Sequence, residues 1–224
     1  MNDILSDVIV KKPWGYEYLC YENEDVAVWF LHIDYNQKTS MHCHSEKTTG
    51  LLLLDGIAKL NFLADSKIVE GPYKHMIRRG LFHQTEALSF DGINLLEIET
   101  PVDKNDLVRL TDDYGRSDMG YEKESIPKNN DSLWFEEPLA GHKKLYKINN
   151  VELSIERPTS IDFIDEKNEN DILMFVSGGL YKNVEDRKFN IVVPGDIGQK
   201  KIVTQVRDHV TGILDNTMVI TVYG

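Results

Sequence analysis

The chain has 224 residues, 41% hydrophobic and 28% charged, which suits a globular protein of one large domain or two small ones. A formal net charge of −12 excludes non-specific nucleic-acid binding, since no basic excess exists to neutralise phosphates. No apolar run approaches the roughly 18 residues of a membrane-spanning helix.

Two cysteines, Cys20 and Cys43, are too few for a disulfide framework, and the stretch MNDILSDVIVKKPWG has no charged n-region before an apolar run. A reduced, cytoplasmic chain that touches neither nucleic acid nor membrane is therefore expected.

Taken in order, Lys11-Lys12-Pro13-Trp14-Gly15 reads as a rigid turn into an aromatic strand, Tyr16 to Cys20. Asp25 to Ile33 is rich in β-branched and aromatic residues and predicts a second strand. After the polar turn at Asp34 to Lys38 comes Ser40-Met41-His42-Cys43-His44, and then Leu51 to Leu54 and Ile57 to Leu63 flank Asp55-Gly56, a strong hairpin signal. Asp65 to Tyr73 predicts a loop with a short strand, and Ile93 to Glu99 a further strand. Nothing before Asp103 has the periodicity of a long amphipathic helix, so short strands with glycine-marked turns predict an all-β sandwich or barrel.

Residues 103–116 read as a polar segment with one helical turn and a loop, and 119–132 as a linker. The expected domains are thus 1–118 and 133–224. In the second, Asn149-Asn150 turns a hairpin within Lys144 to Glu156, and Ile172 to Val176, Leu180 to Asn183, Phe189 to Val193 and Met218 to Tyr223 are strand candidates. This half repeats the character of the first, with Gly178-Gly179 standing for Gly56 and Pro194-Gly195 for Arg79-Gly80. It lacks a His-x-His and is expected to be metal-free.

If Met41 to His44 is extended, both imidazoles lie on one face, the beginning of a metal site whose third ligand comes from elsewhere. Glu97 and Glu99 also share a face. If that face is the interior, one of them is a candidate proton shuttle; if it is the exterior, Leu96 and Ile98 fill the core and the glutamates are solvated. His32 and His75 read as structural, Trp14 and Trp29 as core aromatics, and Glu46 as solvated.

The glycine-punctuated His-x-His strand followed by Arg79-Gly80-Leu81-Phe82-His83 resembles the two motifs of the cupin superfamily. That resemblance implies a double-stranded β-helix, here a bicupin with a degenerate second barrel, in which His42, His44 and His83 converge on one divalent transition metal (Zn, Fe, Ni, Mn or Co). Lys12-Pro13-Trp14-Gly15-Tyr16-Glu17, Glu97-Ile98-Glu99 and Asp106 to Arg116 (DLVRLTDDYGR) are similar to segments of the cupin domain of type II phosphomannose isomerases. Against that family's pattern His42 stands for a glutamine, Thr49 for the metal-binding glutamate and Lys47 for an arginine of the isomerase site.

The resemblance implies a metal-dependent enzyme on a sugar or sugar phosphate, an isomerase or epimerase working through an enediol in activated-sugar or polysaccharide synthesis. Glu99 or Glu97 would move the proton, Lys47 would stabilise an enediolate oxygen or bind the substrate's phosphate, and Arg109 or Arg116 would hold the charged end of the substrate. Two other expectations stand beside it: a non-catalytic sugar-binding or regulatory cupin, and a three-histidine iron dioxygenase. A homodimer is expected, since unpaired edge strands favour association.

Overall fold

The computed structural model describes residues 5–116, 121–122 and 124–224. It divides into two compact units, Met1–Trp134 and Phe135–Gly224.

In the first unit the strands are β1 (Val8–Lys12), β2 (Gly15–Glu22), β3 (Ala27–Ile33), β4 (Met41–Cys43), β5 (Thr48–Asp55), β6 (Ile57–Phe62), β7 (Ser66–Glu70), β8 (Tyr73–Ile77), β9 (His83–Ala87), β10 (Ile93–Thr100), β11 (Val108–Thr111) and β12 (Ser125–Pro127). One antiparallel sheet has the order β12-β1-β2-β3-β10-β5-β8 and the other β11-β4-β9-β6-β7. The eight consecutive strands β3 to β10 therefore form two four-stranded layers, β3-β10-β5-β8 and β4-β9-β6-β7. That order is the double-stranded β-helix, a jelly roll.

Trp29, Leu31, Leu51, Leu53, Leu60, Ile77 and Leu95 fill the space between the layers. Strands β5 and β10 are buried on both faces along most of their length, which is why Leu51-Leu52-Leu53-Leu54 does not alternate with polar residues. The turn into β6 needs Gly56, whose φ is +80° and where a Cβ would lie 2.9 Å from Ile93 Cγ2.

The second unit contains β13 (Lys143–Ile148), β14 (Val151–Glu156), β15 (Ile172–Ser177), β16 (Leu180–Val184), β17 (Arg187–Val192), β18 (Ile197–Gln199), β19 (Gly212–Ile213), β20 (Met218–Val222) and one helix, α1 (Lys200–Arg207). Its sheets run β13-β14-β20-β15-β18 and β17-β16-β19. Matched to β3-β10-β5-β8, the order β14-β20-β15-β18 is the same, and β19-β16-β17 matches β9-β6-β7. The strand corresponding to β4 is missing; in its place a 3-10 turn, Ile161–Ile164, packs Phe163 and Ile164 into the core. The two units therefore share one strand order, and the second lacks the strand that carries the His-x-His in the first.

Three expectations need correction, and one element was not foreseen. The polar segment 103–116 contains strand β11, which pairs with β4; as an edge strand it is exposed along much of its length, so its sequence carries no burial signal. The described part of 119–132 is no linker, because β12 pairs with β1 and the unit boundary lies after Trp134. Helix α1 was not foreseen. Gly178-Gly179 does occupy the position of Gly56, between the third and fourth barrel strands, but Pro194-Gly195 corresponds to Gly71-Pro72 rather than to Arg79-Gly80.

Candidate functional site

Strand β4 joins β9 at one register position, His42 opposite His83, and joins β11 with Arg109 opposite His42. Alternation along β4 turns His44 to the same side as His42. The three rings form a triangle with centroids 5.1, 4.4 and 5.5 Å apart, and their candidate ligand nitrogens all lie within 4.8 Å of one another.

Each ring has its Nδ1 against a main-chain carbonyl. His42 Nδ1 is 2.8 Å from Ser40 O, His44 Nδ1 2.6 Å from Asp106 O and His83 Nδ1 3.0 Å from Leu81 O. A carbonyl only accepts, so each Nδ1 carries the hydrogen and each Nε2 keeps its lone pair. The Nε2 atoms of His44 and His83 are buried with no protein partner. Burial also pushes the pKa of His44 and His83 down to about 4 and that of His42 well below its usual range, the last reinforced by the neighbouring rings. Three neutral imidazoles with free, converging lone pairs and carbonyl-held Nδ1 atoms fit a divalent transition metal.

Beside the histidines lies a cavity of about 70 Å³ lined by an ionic network, well below the several hundred Å³ of pockets for drug-sized ligands. Glu97 and Glu99 line it, while Leu96 and Ile98 are buried on the opposite face of β10. The two alternatives for this strand were not exclusive, because the sheet is buried on both sides. Glu99 Oε1 takes Lys47 Nζ at 3.1 Å and Lys104 Nζ at 3.0 Å, whereas Glu99 Oε2 is buried without a protein partner. Thr49, directly opposite Glu99 on β5, has an equally unpartnered buried hydroxyl.

Lys47 is not a surface residue. Its ammonium is enclosed by Glu99 and the Asp103 carbonyl, 3.1 Å from each. Arg109 and Arg116 both line the cavity. Arg116 pairs with Asp112 at 2.6 Å and with Glu122, and Arg109 lies 3.4 Å from Glu122. Glu46 is exposed and outside the site, and Trp14 and Trp29 lie in the core as expected, although Trp14 also lines the cavity.

Several cavity residues were missed in the sequence. Glu17 accepts from the Tyr121 hydroxyl and lies 3.4 Å from both Lys12 and Lys104; Lys104 also sits 3.7 Å over the Trp29 ring, and Lys12 pairs with Glu122 at 2.5 Å. A charge inside the aromatic strand Tyr16 to Cys20 was a usable signal for Glu17. Lys104, Tyr121 and Glu122 lie in polar stretches that look like any solvated loop.

No family model and no curated protein matches the chain. Among solved structures, KdgF from a Halomonas species aligns at 14% identity over 46% of this chain and 94% of its own, with a TM-score of 0.41. A cupin-2 domain from Rhodospirillum rubrum aligns at 9% identity over 55% and 76%, with a TM-score of 0.39. A cupin-2 domain protein from Shewanella frigidimarina aligns at 14% over 40% and 83%, with a TM-score of 0.35. Likenesses this weak carry no functional argument. No helix among the described residues is long and apolar enough to cross a membrane. The strand order is what identifies the architecture: the first unit has the cupin fold, with a three-histidine group inside its barrel.

Proposed function

We propose that the first unit is a metal-dependent enzyme that moves a proton on a small sugar or sugar phosphate, in an aldose–ketose isomerisation or an epimerisation. One juxtaposition carries the reading: of three neutral imidazoles grouped within 4.8 Å, His42 and His44 line the same cavity as a buried carboxylate that has one oxygen fixed and one free. His42, His44 and His83 would hold a Zn, Fe, Ni, Mn or Co ion. When bound, such an ion acts as a Lewis acid toward a carbonyl and its neighbouring hydroxyl.

The remaining roles fall to the chain's own groups. Glu99 takes the proton from the carbon beside the carbonyl at its free Oε2 and returns it to the adjacent carbon, while Glu97 moves the hydroxyl proton from the oxygen that becomes the carbonyl to the one that was. In an epimerisation Glu99 keeps the proton and a water on the opposite face supplies the new one. Lys47 and Lys104, both on Oε1, keep that carboxylate in place. Glu97 is the second proton carrier on the same face. Arg109 and Arg116 hold the charged end of the substrate by exchanging part of their carboxylate pairing for it.

Metal analysis of the purified protein and hydrogen–deuterium exchange with a panel of sugar phosphates test the proposal. About one equivalent of transition metal and exchange at C2 of one substrate are expected. Substoichiometric metal, or no exchange with any of them, refutes it.

A second reading rests on the ligand group itself, which holds three histidines and no carboxylate and so also suits an iron site that activates dioxygen. Oxygen consumption by the iron-loaded protein with a candidate substrate separates the two. We further propose a homodimer, to be refuted by a sedimentation mass of one chain.

A further inference from the structure

Asp106 opens the segment DLVRLTDDYGR, but it neither lines the cavity nor belongs to the histidine group. It nevertheless gathers the loop between β4 and β5. Its Oδ1 accepts from the Ser45 amide at 2.8 Å and the Ser45 hydroxyl at 2.7 Å, and its Oδ2 from the Glu46 and Lys47 amides, both at 2.9 Å. Three successive amides and a hydroxyl thus converge on one buried carboxylate. The same residue offers its main-chain carbonyl to His44 Nδ1 at 2.6 Å.

We propose that Asp106 is a positioning residue of the site: its carboxylate, by clamping the 45–47 loop, fixes the carbonyl that holds His44 as the Nδ1–H tautomer with Nε2 facing the other two imidazoles. The physical basis is leverage. The side chain ties residue 106 to the residues immediately after His44, so the carbonyl and the ring it orients move together. Without the carboxylate, three successive amides, that of Lys47 buried, lose their acceptor, the loop re-forms around water and the carbonyl leaves the ring. His44 is then free to carry its hydrogen on Nε2, the nitrogen needed for a ligand. The clamp also fixes the main chain of Lys47, and so the approach of its ammonium to Glu99. His42 and His83 are held differently, by the carbonyls of Ser40 and Leu81, each only two residues away on their own segments. They serve as internal controls.

The inference rests on the histidine group being a ligand set, but its first test needs no metal. In the full-length, nitrogen-15-labelled chain after dialysis against chelator, long-range proton–nitrogen spectra report the tautomer of each histidine. All three should carry hydrogen on Nδ1. In Asp106→Ala, His44 should become a tautomer mixture while His42 and His83 stay unchanged, and Asp106→Asn, which keeps one accepting oxygen, should fall between. An unchanged His44 in either variant overturns the proposal, as does equal loss in all three rings, which would mean general loosening of the barrel.

Titration with Co²⁺ then separates this inference from the metal reading. Asp106→Ala should weaken Co²⁺ binding by about 10- to 100-fold and alter the visible spectrum of bound Co²⁺, and equal affinity would overturn the coupling to the ligand set. If the unmodified chain takes up no Co²⁺ while His44 still changes tautomer in the variant, the metal reading falls and the positioning role stands.

Discussion

Replacing Lys47 by methionine should destabilise the first unit by about 3 kcal/mol. The side chains of Lys47 and Glu99 are only 2% and 1% exposed, and their charged atoms are 3.1 Å apart. At an effective dielectric of about 20 their attraction is roughly 5 kcal/mol, most of it offset by the cost of taking both charges out of water. Removing one partner leaves that cost standing for the other, and broken buried pairs typically lose about 3–5 kcal/mol. Lys104, 3.0 Å from the same Glu99 oxygen, stays behind and places the loss at the low end. Methionine keeps the length and apolar stem of lysine, so the packing contribution is small.

Pairing Lys47→Met with Glu99→Gln should recover most of the loss, giving a double-mutant coupling of about 2 kcal/mol. Urea unfolding followed by tryptophan fluorescence is the assay. Trp14, Trp29 and Trp134 are the three tryptophans of the chain and all lie in the first unit, so the signal is not mixed with unfolding of the second. A loss below about 1 kcal/mol in Lys47→Met, or additive single variants, would refute the claim that this pair is dry and coupled.

Acid should weaken the same network. Burial alone would raise the pKa of Glu17, but Lys104, Lys12 and the Tyr121 hydroxyl outweigh it and hold the carboxyl at about 2 against an ordinary 4.5. The depressed value means that Glu17 stabilises the fold fully above pH 4.5 and that this contribution, about 3 kcal/mol, is lost as the pH falls toward 2; Glu17→Gln should flatten that limb of a urea-stability profile, and an unchanged acid limb would show that other groups set it. Chelator dialysis should lower the melting temperature of a metal-loaded preparation, and Co²⁺ in hundredfold excess over its Kd should restore about 2.7 kcal/mol; no shift in either direction in a calorimetric scan contradicts metal binding by the histidine group. Gly179→Ala should destabilise the second unit by more than 1 kcal/mol, because φ there is +129° and a Cβ would lie 1.9 Å from Val192 O; circular dichroism melts that match the unmodified chain would contradict the turn geometry.

The sequence by itself determined an all-β first unit with two histidines on one face of a strand, and its resemblance to cupins supplied the double-stranded β-helix and His83. His-x-His on a short strand, Asp55-Gly56 as a turn and Arg79-Gly80-Leu81-Phe82-His83 are local features, and local spacing sets which way neighbouring side chains point. It also suggested the repeat, through Gly178-Gly179, because a left-handed turn leaves a visible glycine. Only the tertiary structure decided the rest. The face presented by Glu97 and Glu99 depended on whether the sheet is covered on one side or both, which no alternation within one strand reveals. Nothing around Lys47 in the sequence marks it as buried, and its partner Glu99 is 52 positions away. Asp106 acts on the 45–47 loop and Lys104 on Glu17, both far away in sequence, while edge strands β11 and β12 take their pairing from partners rather than from their own polar residues. A buried charge is stable only where its partners meet it, and where they meet is a property of the strand order.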